Sequence, residues 1–118
     1  MKKFLFIVRH PPLQGIALSE SLDLVMTVAA FDQSVRVLFL DDGVFSLKSG
    51  QSHPNPAVKS SALMFGALEV YDIKEIFVEV ESLVERGLTV ENLILPARLI
   101  RRTEIAGLIA LADHVVTA

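Results

Sequence analysis

The sequence predicts a three-layer α/β/α sandwich built on a mainly parallel five-stranded sheet. Short runs of β-branched and aromatic residues alternate with longer segments of helical period, a pattern that produces parallel strands with helices on both faces. The first strand-like run is apolar throughout rather than at every second residue, as strands covered on both sides are, and the second is interrupted only by Arg36, which suggests that one end of it is exposed. The 118 residues, 52% apolar and 21% charged, suit one such domain over residues 1–118, and no repeat, linker or low-complexity tract divides them.

Phe4-Leu5-Phe6-Ile7-Val8 is the first expected strand. Lys2-Lys3 ahead of it imitates a signal peptide, but Arg9 and His10 end the apolar run after five residues and no small-residue cleavage site follows. His10-Pro11-Pro12-Leu13-Gln14-Gly15 breaks regular structure. Over residues 17–31, Leu18, Leu22, Val25, Met26 and Ala29 fall on one helical face. Asp32-Gln33-Ser34 is a turn, residues 35–40 are a second strand, and Asp41-Asp42-Gly43 stops it ahead of a short apolar segment at 44–47. Residues 48–56, rich in Gly, Ser and Pro, read as a long loop, and residues 57–70 as a helix weakened at Gly66. A third strand centres on Ile76-Phe77-Val78. Ser82 with Glu85 three residues on fits a capping box, and Gly87 fits the position after a helix end, giving a short helix over 82–86. Thr89 with Glu91 starts a turn, and Leu93-Ile94-Leu95, closed by Pro96, is the expected fourth strand. Thr103 is positioned to cap a last helix carrying Ile105, Leu108, Ile109 and Ala112, and the fifth strand is expected at 114–117.

The composition bounds the function. So apolar a chain of this length leaves apolar surface in water, which predicts stable oligomerisation, with unlike chains as the expected partners. The longest apolar stretches, such as 108–112, are far short of the roughly 20 residues a membrane span needs, so a cytoplasmic protein is expected. Zero cysteines exclude disulfides, thiolate metal sites and thiol nucleophiles. A net charge of −3 gives no general attraction to nucleic acid, and no direct binding of it is expected.

Candidate site residues gather where strands end. Asp41 and Asp42 lie beyond the second strand, where open α/β sheets hold ligands, and could bind a metal or a partner's cation. A strand-ending turn with Gly43 at positive φ and one acid capping the next helix explains the same residues. Arg9 and His10 could face a shared pocket, but the loop after them has no phosphate-binding glycine pattern, and its prolines offer no N–H to an anion. Glu79 and Glu81 would diverge if the third strand continued through them. His10, His53 and His114 lack metal spacing, so neither a metal nor any cofactor is expected. Arg98, Arg101 and Arg102 form the only local basic cluster, which reads as a solvated face before a helix or, alternatively, an RNA-backbone contact. No GxSxG elbow occurs, Lys59-Ser60-Ser61 reads as a helix start, and no self-sufficient catalytic set emerges.

Phe39-Leu40-Asp41-Asp42-Gly43-Val44-Phe45, then Leu47 and Gly50-Gln51, resemble the TusC/DsrF family. Leu68 with Tyr71-Asp72-Ile73, Ser82-Leu83-Val84-Glu85-Arg86-Gly87-Leu88 and Ala112-Asp113-His114-Val115-Val116 extend the resemblance over essentially the whole chain. The resemblance implies a DsrEFH-like fold and a non-catalytic subunit of a persulfide-relay complex, a dimer of heterotrimers with TusB/DsrH-type and TusD/DsrE-type partners. In the TusBCD form such a complex passes sulfur toward the enzyme that 2-thiolates the wobble uridine of tRNA, an indirect link to a tRNA-modifying enzyme. In the DsrEFH form it serves sulfur oxidation. In the TusD/DsrE type a sulfur-carrying cysteine follows the third strand; the resemblance puts Glu79 near that place, and a carboxylate cannot form a persulfide. The chain also lacks the cysteine-bearing tail of the TusB/DsrH type and an acidic insertion before the last helix, which leans toward TusC. An alternative of another class is a stand-alone small-ligand module with Arg9, Asp41 and Asp42 lining its site.

Overall fold

The structure, a computed structural model, describes residues 2–9, 27, 30, 31, 34–47, 73, 75–93 and 97–117. Five strands, β1 (Lys3–Val8), β2 (Ser34–Phe39), β3 (Glu75–Glu79), β4 (Arg98–Ile100) and β5 (His114–Thr117), form one sheet in the order β4-β3-β2-β1-β5. Every neighbouring pair is parallel. Val8 stands level with Phe39, Phe39 with Val78 and Val78 with Leu99, so the carboxyl ends of four strands meet along one edge of the sheet.

Strand alternation divides the apolar runs between two cores. Phe6, Val8, Val35, Val37, Phe39, Ile76 and Val78 face one side, where they meet Val44 and Leu47 of a 3₁₀ segment (Asp41–Leu47), Leu83 of helix α1 (Val80–Glu85) and Leu88. Leu5, Ile7, Leu38, Phe77 and Ile100 face the other side, where Leu108 of helix α2 (Ile105–Ala110) packs on them. Burial on both faces is why β1, β2 and β3 read as largely apolar runs, broken within β2 only at Arg36, which pairs with Glu75 at 2.6 Å, and the layered α/β arrangement is the one expected.

Several local expectations are corrected. The fourth strand of the sheet is Arg98–Ile100, beyond Pro96; of the segment expected to supply it, Leu93 makes an isolated bridge and residues 94–96 lie outside the described set. An edge strand pairs on one side, so apolar content is a poor guide to it. Only Ile100 is buried there, while the Arg98 guanidinium lies 5.6 Å over the Phe77 ring. Ser82 does not cap α1, which starts two residues earlier with Glu79 at the N-cap. Thr103 does not cap α2; it sits within the 3₁₀ turn Arg102–Glu104, whose N-cap Arg101 donates its N–H to the Glu104 carboxylate at 3.1 Å. The apolar segment 44–47 belongs to a 3₁₀ helix that already begins at Asp41.

Gly87 does fill the position after α1, at φ 67. Its N–H donates to Val84 O at 3.2 Å, and the Leu88 N–H donates to Leu83 O at 2.9 Å. These are the two bonds of a Schellman end, with Leu83 and Leu88 buried together in one core. Thr89 caps the 3₁₀ turn Val90–Asn92, its N–H donating to Asn92 Oδ1 at 2.9 Å. Of the helix expected over 17–31, Thr27 and Ala30 are helical, and residues 17–26, 28 and 29 lie outside the described residues. The breaker at 10–15, the turn residues 32–33, the loop 48–56 and the helix 57–70 also lie outside them.

Candidate functional site

The level carboxyl ends of β1 to β4 bring together residues far apart in sequence. Arg9 leaves β1 and donates from both Nε and Nη2 to Asp41 Oδ2 at 3.2 Å. Asp41 follows β2 by two residues at φ 50, the left-handed region that costs a side-chain-bearing residue roughly 1 kcal/mol or more. The surroundings hold it there: Arg9 takes its carboxylate, and its N–H donates to Ser82 Oγ at 2.8 Å. Asp42 turns away to Arg86, which donates from Nε at 3.0 Å. Asp41 and Asp42 therefore serve two different arginines and do not act as a pair. Among the described residues no group of three or more His, Cys, Asp or Glu side chains could hold a metal ion.

Gly43 has a different reason for being glycine from the one expected. Its φ is not positive; the constraint is close approach. A Cβ there would stand 2.0 Å from the carbonyl oxygen of Val8. That carbonyl accepts the Leu40 N–H at 3.1 Å, so β1 and the exit of β2 are drawn together at this point.

Glu79 is the last residue of β3 and is buried, with 3% of its surface exposed. One of its oxygens, Oε1, accepts from Ser82 Oγ at 2.5 Å and from Arg102 Nη2 and Nε at 2.9 and 3.3 Å. Ser82, wholly buried on the first turn of α1, thus accepts from Asp41 and donates to Glu79, joining the ends of β2 and β3. Burial pushes the Glu79 carboxyl up. Bonds from Arg102 and Ser82, and the charges of Arg102 and Arg86, outweigh it and hold the group below the ordinary glutamate range. The same contacts, with a 2.6 Å bond to Glu85, push the Arg102 guanidinium further above its usual range. The Arg102 main-chain N–H adds bonds to both Glu81 oxygens at 3.0 and 3.1 Å. Glu79 and Glu81 converge on Arg102 rather than diverge, because the strand stops at Glu79 and the chain turns into helix.

The structure thus places all five sequence candidates, Arg9, Asp41, Asp42, Gly43 and Glu79, along one edge. Sequence reasoning missed Ser82, Arg86 and Arg102 as parts of the same network. The available signal was Glu79 itself: a carboxylate ending a buried strand needs a cation, and a basic cluster follows the next strand. His10 and His53 lie outside the described residues, and His114 stacks on Phe4 with ring centroids 5.0 Å apart.

A parallel sheet with this strand order, covered on both faces, defines a small α/β protein of the fold seen in the crystal structure of the ychN protein from E. coli, with a TM-score of 0.84 over 100% of both chains at 20% identity. Residues 2–118 match the DsrE/DsrF-like family, and the chain belongs to that family. It is 40% identical over 94 residues to the intracellular sulfur oxidation protein DsrF of Allochromatium vinosum, covering 80% of this chain and 69% of that one. It is 34% identical over 116 residues to a Protein TusC homolog of Pseudomonas aeruginosa, and 32% identical over 117 residues to one of Pasteurella multocida, covering 98% of both chains in each case. No helix among the described residues is long and apolar enough to cross a membrane.

Proposed function

We propose that this chain is a non-catalytic subunit of a sulfur-relay complex of the TusBCD type, supporting 2-thiolation of the tRNA wobble uridine. The observation that carries the reading is the match, end to end over 98% of both chains, to proteins named TusC homolog. The residues agree with it. A chain with zero cysteines cannot carry a persulfide, so transfer falls to thiol-bearing partners of the TusD/DsrE and TusB/DsrH types in a cytoplasmic dimer of heterotrimers. At the carboxyl edge the charged groups are engaged with one another: Arg9 with Asp41, Arg86 with Asp42, and Arg102 with Glu79 and Glu85. That is the chemistry of a surface that shapes and supports rather than one that attacks a substrate. In this reading Arg9, Asp41, Asp42, Gly43 and Glu79 form the interface edge.

Native mass spectrometry of the tagged chain purified from its own cells tests the assembly, and mass-spectrometric quantification of 2-thiouridine in tRNA from a deletion strain tests the role. Two cysteine-bearing homologous partners and loss of the thiolated nucleoside are expected. Recovery of the chain alone, with thiolation intact, would overturn the reading. A second reading, a DsrF-type subunit in sulfur oxidation, is favoured by the 40% identity to DsrF. Partners encoded beside a dissimilatory sulfite reductase, with tRNA thiolation unaffected, would select it.

A further inference from the structure

Glu79 is held in an unusual way for a structural ion pair. Three donors, the Ser82 hydroxyl and the Nε and Nη2 of Arg102, converge on a single oxygen, Oε1. The second oxygen makes no hydrogen bond among the described residues. The pair is also lopsided in burial, the Glu79 side chain being 4% exposed and the Arg102 side chain 53%. Arg102 is therefore the solvent-facing member of the pair, and it is shared, since Nη2 also donates to the exposed Glu85 at 2.6 Å. Hydroxyl and guanidinium donors aimed at one point, with the charged donor half open to water, are the donor set that a small anion needs. Nothing in the donor set requires that the anion be attached to the chain.

We propose that the carboxyl end of β3 is a binding site for a small carboxylate-like monoanion, formed by Ser82 and Arg102, and that the chain keeps this site filled with its own Glu79 side chain. Glu79 is a tethered ligand. An external anion competes poorly while the tether is intact, because the attached carboxylate is present at high effective concentration. When the tether is cut, the site is open to an anion of matching size.

Glu79→Ala removes a fragment equivalent to acetate, so acetate is the probe. Thermal unfolding of the full chain is followed in increasing sodium acetate, with neutral acetamide as control, for wild type, Glu79→Ala and Glu79→Ala with Arg102→Ala. The expected result is a saturable rise in Tm for Glu79→Ala, of roughly 5 °C at about ten times the dissociation constant. Wild type should rise less, the double variant should lose the excess, and acetamide should give none. Equal acetate responses in all three proteins, or no response in Glu79→Ala, would overturn the site. Should Glu79→Ala be unfolded in plain buffer, refolding on acetate addition, read by far-UV circular dichroism, measures the same binding. Failure to refold at any acetate concentration the wild type tolerates would likewise overturn it.

Discussion

Single glycines carry opposite expectations that sequence alone does not separate. Gly43→Ala forces a Cβ against a main-chain carbonyl 2.0 Å away, so backbone must move, and a loss of about 2–3 kcal/mol is expected in urea unfolding. Gly107→Ala in α2 meets nothing within 4 Å and lies in a helix interior, where a gain of about 0.5–1 kcal/mol is expected by the same measurement. Glu79 makes a pH prediction. Its folded-state pKa lies below the unfolded value of 4.5, so the folded chain binds fewer protons in that range. The stability it contributes is present above about pH 4.5 and is lost as pH falls through the folded value. Urea unfolding from pH 7 to pH 3 should therefore show a weaker acid decline for Glu79→Gln than for wild type; equal slopes would refute the assignment. Ser82→Ala leaves the Asp41 N–H and a buried carboxylate each short of a partner, at a cost of about 1–3 kcal/mol. The sequence marked Glu79 as a candidate but assigned Ser82 to a cap, because capping statistics know nothing of a carboxylate three residues upstream on a strand end.

Elements were legible in proportion to how local their causes are. The buried central strands announce themselves by apolar runs, and the end of α1 by Gly87, since only a residue free at φ 67 closes a Schellman end there without strain. Gly87→Ala has open space around it, so its expected cost of about 1 kcal/mol is conformational alone, readable as a lower midpoint in thermal unfolding. The start of α1 was misplaced because Ser82 satisfies the capping pattern in sequence while its hydroxyl is used in tertiary contacts. β4 was misplaced because its pairing partner, its short length and Arg102 define it. The Arg102 main chain and side chain bind Glu81, Glu79 and Glu85, so the segment after β4 is tied to α1 rather than specified by its own residues.

At the scale of the molecule, the apolar excess has a visible counterpart. Val84, Val90, Leu99, Ile109, Leu111 and Val115 are all large and exposed, Val84 at 71% and Leu111 at 58%. Leu111 ends the α2 segment, and Val115 belongs to the edge strand β5, which carries no charged residue to discourage pairing. The lone chain is expected to self-associate in light scattering coupled to size exclusion, and Leu111→Lys with Val115→Thr to reduce that association. A monodisperse monomer of the unmodified chain would refute the expectation.

The sequence by itself determined the class of fold and the family. Apolar runs and helical periods encode burial locally, and zero cysteines leave these residues no thiol on which a persulfide could form. Only the tertiary structure decided how the edge is wired. Parallel pairing brings β1, β2, β3 and β4 level, and that places Arg9 on Asp41, Ser82 between Asp41 and Glu79, and Arg102 on Glu79. These partners stand as many as 41 residues apart, and charge, unlike apolar periodicity, leaves no record in sequence of which opposite charge it will meet.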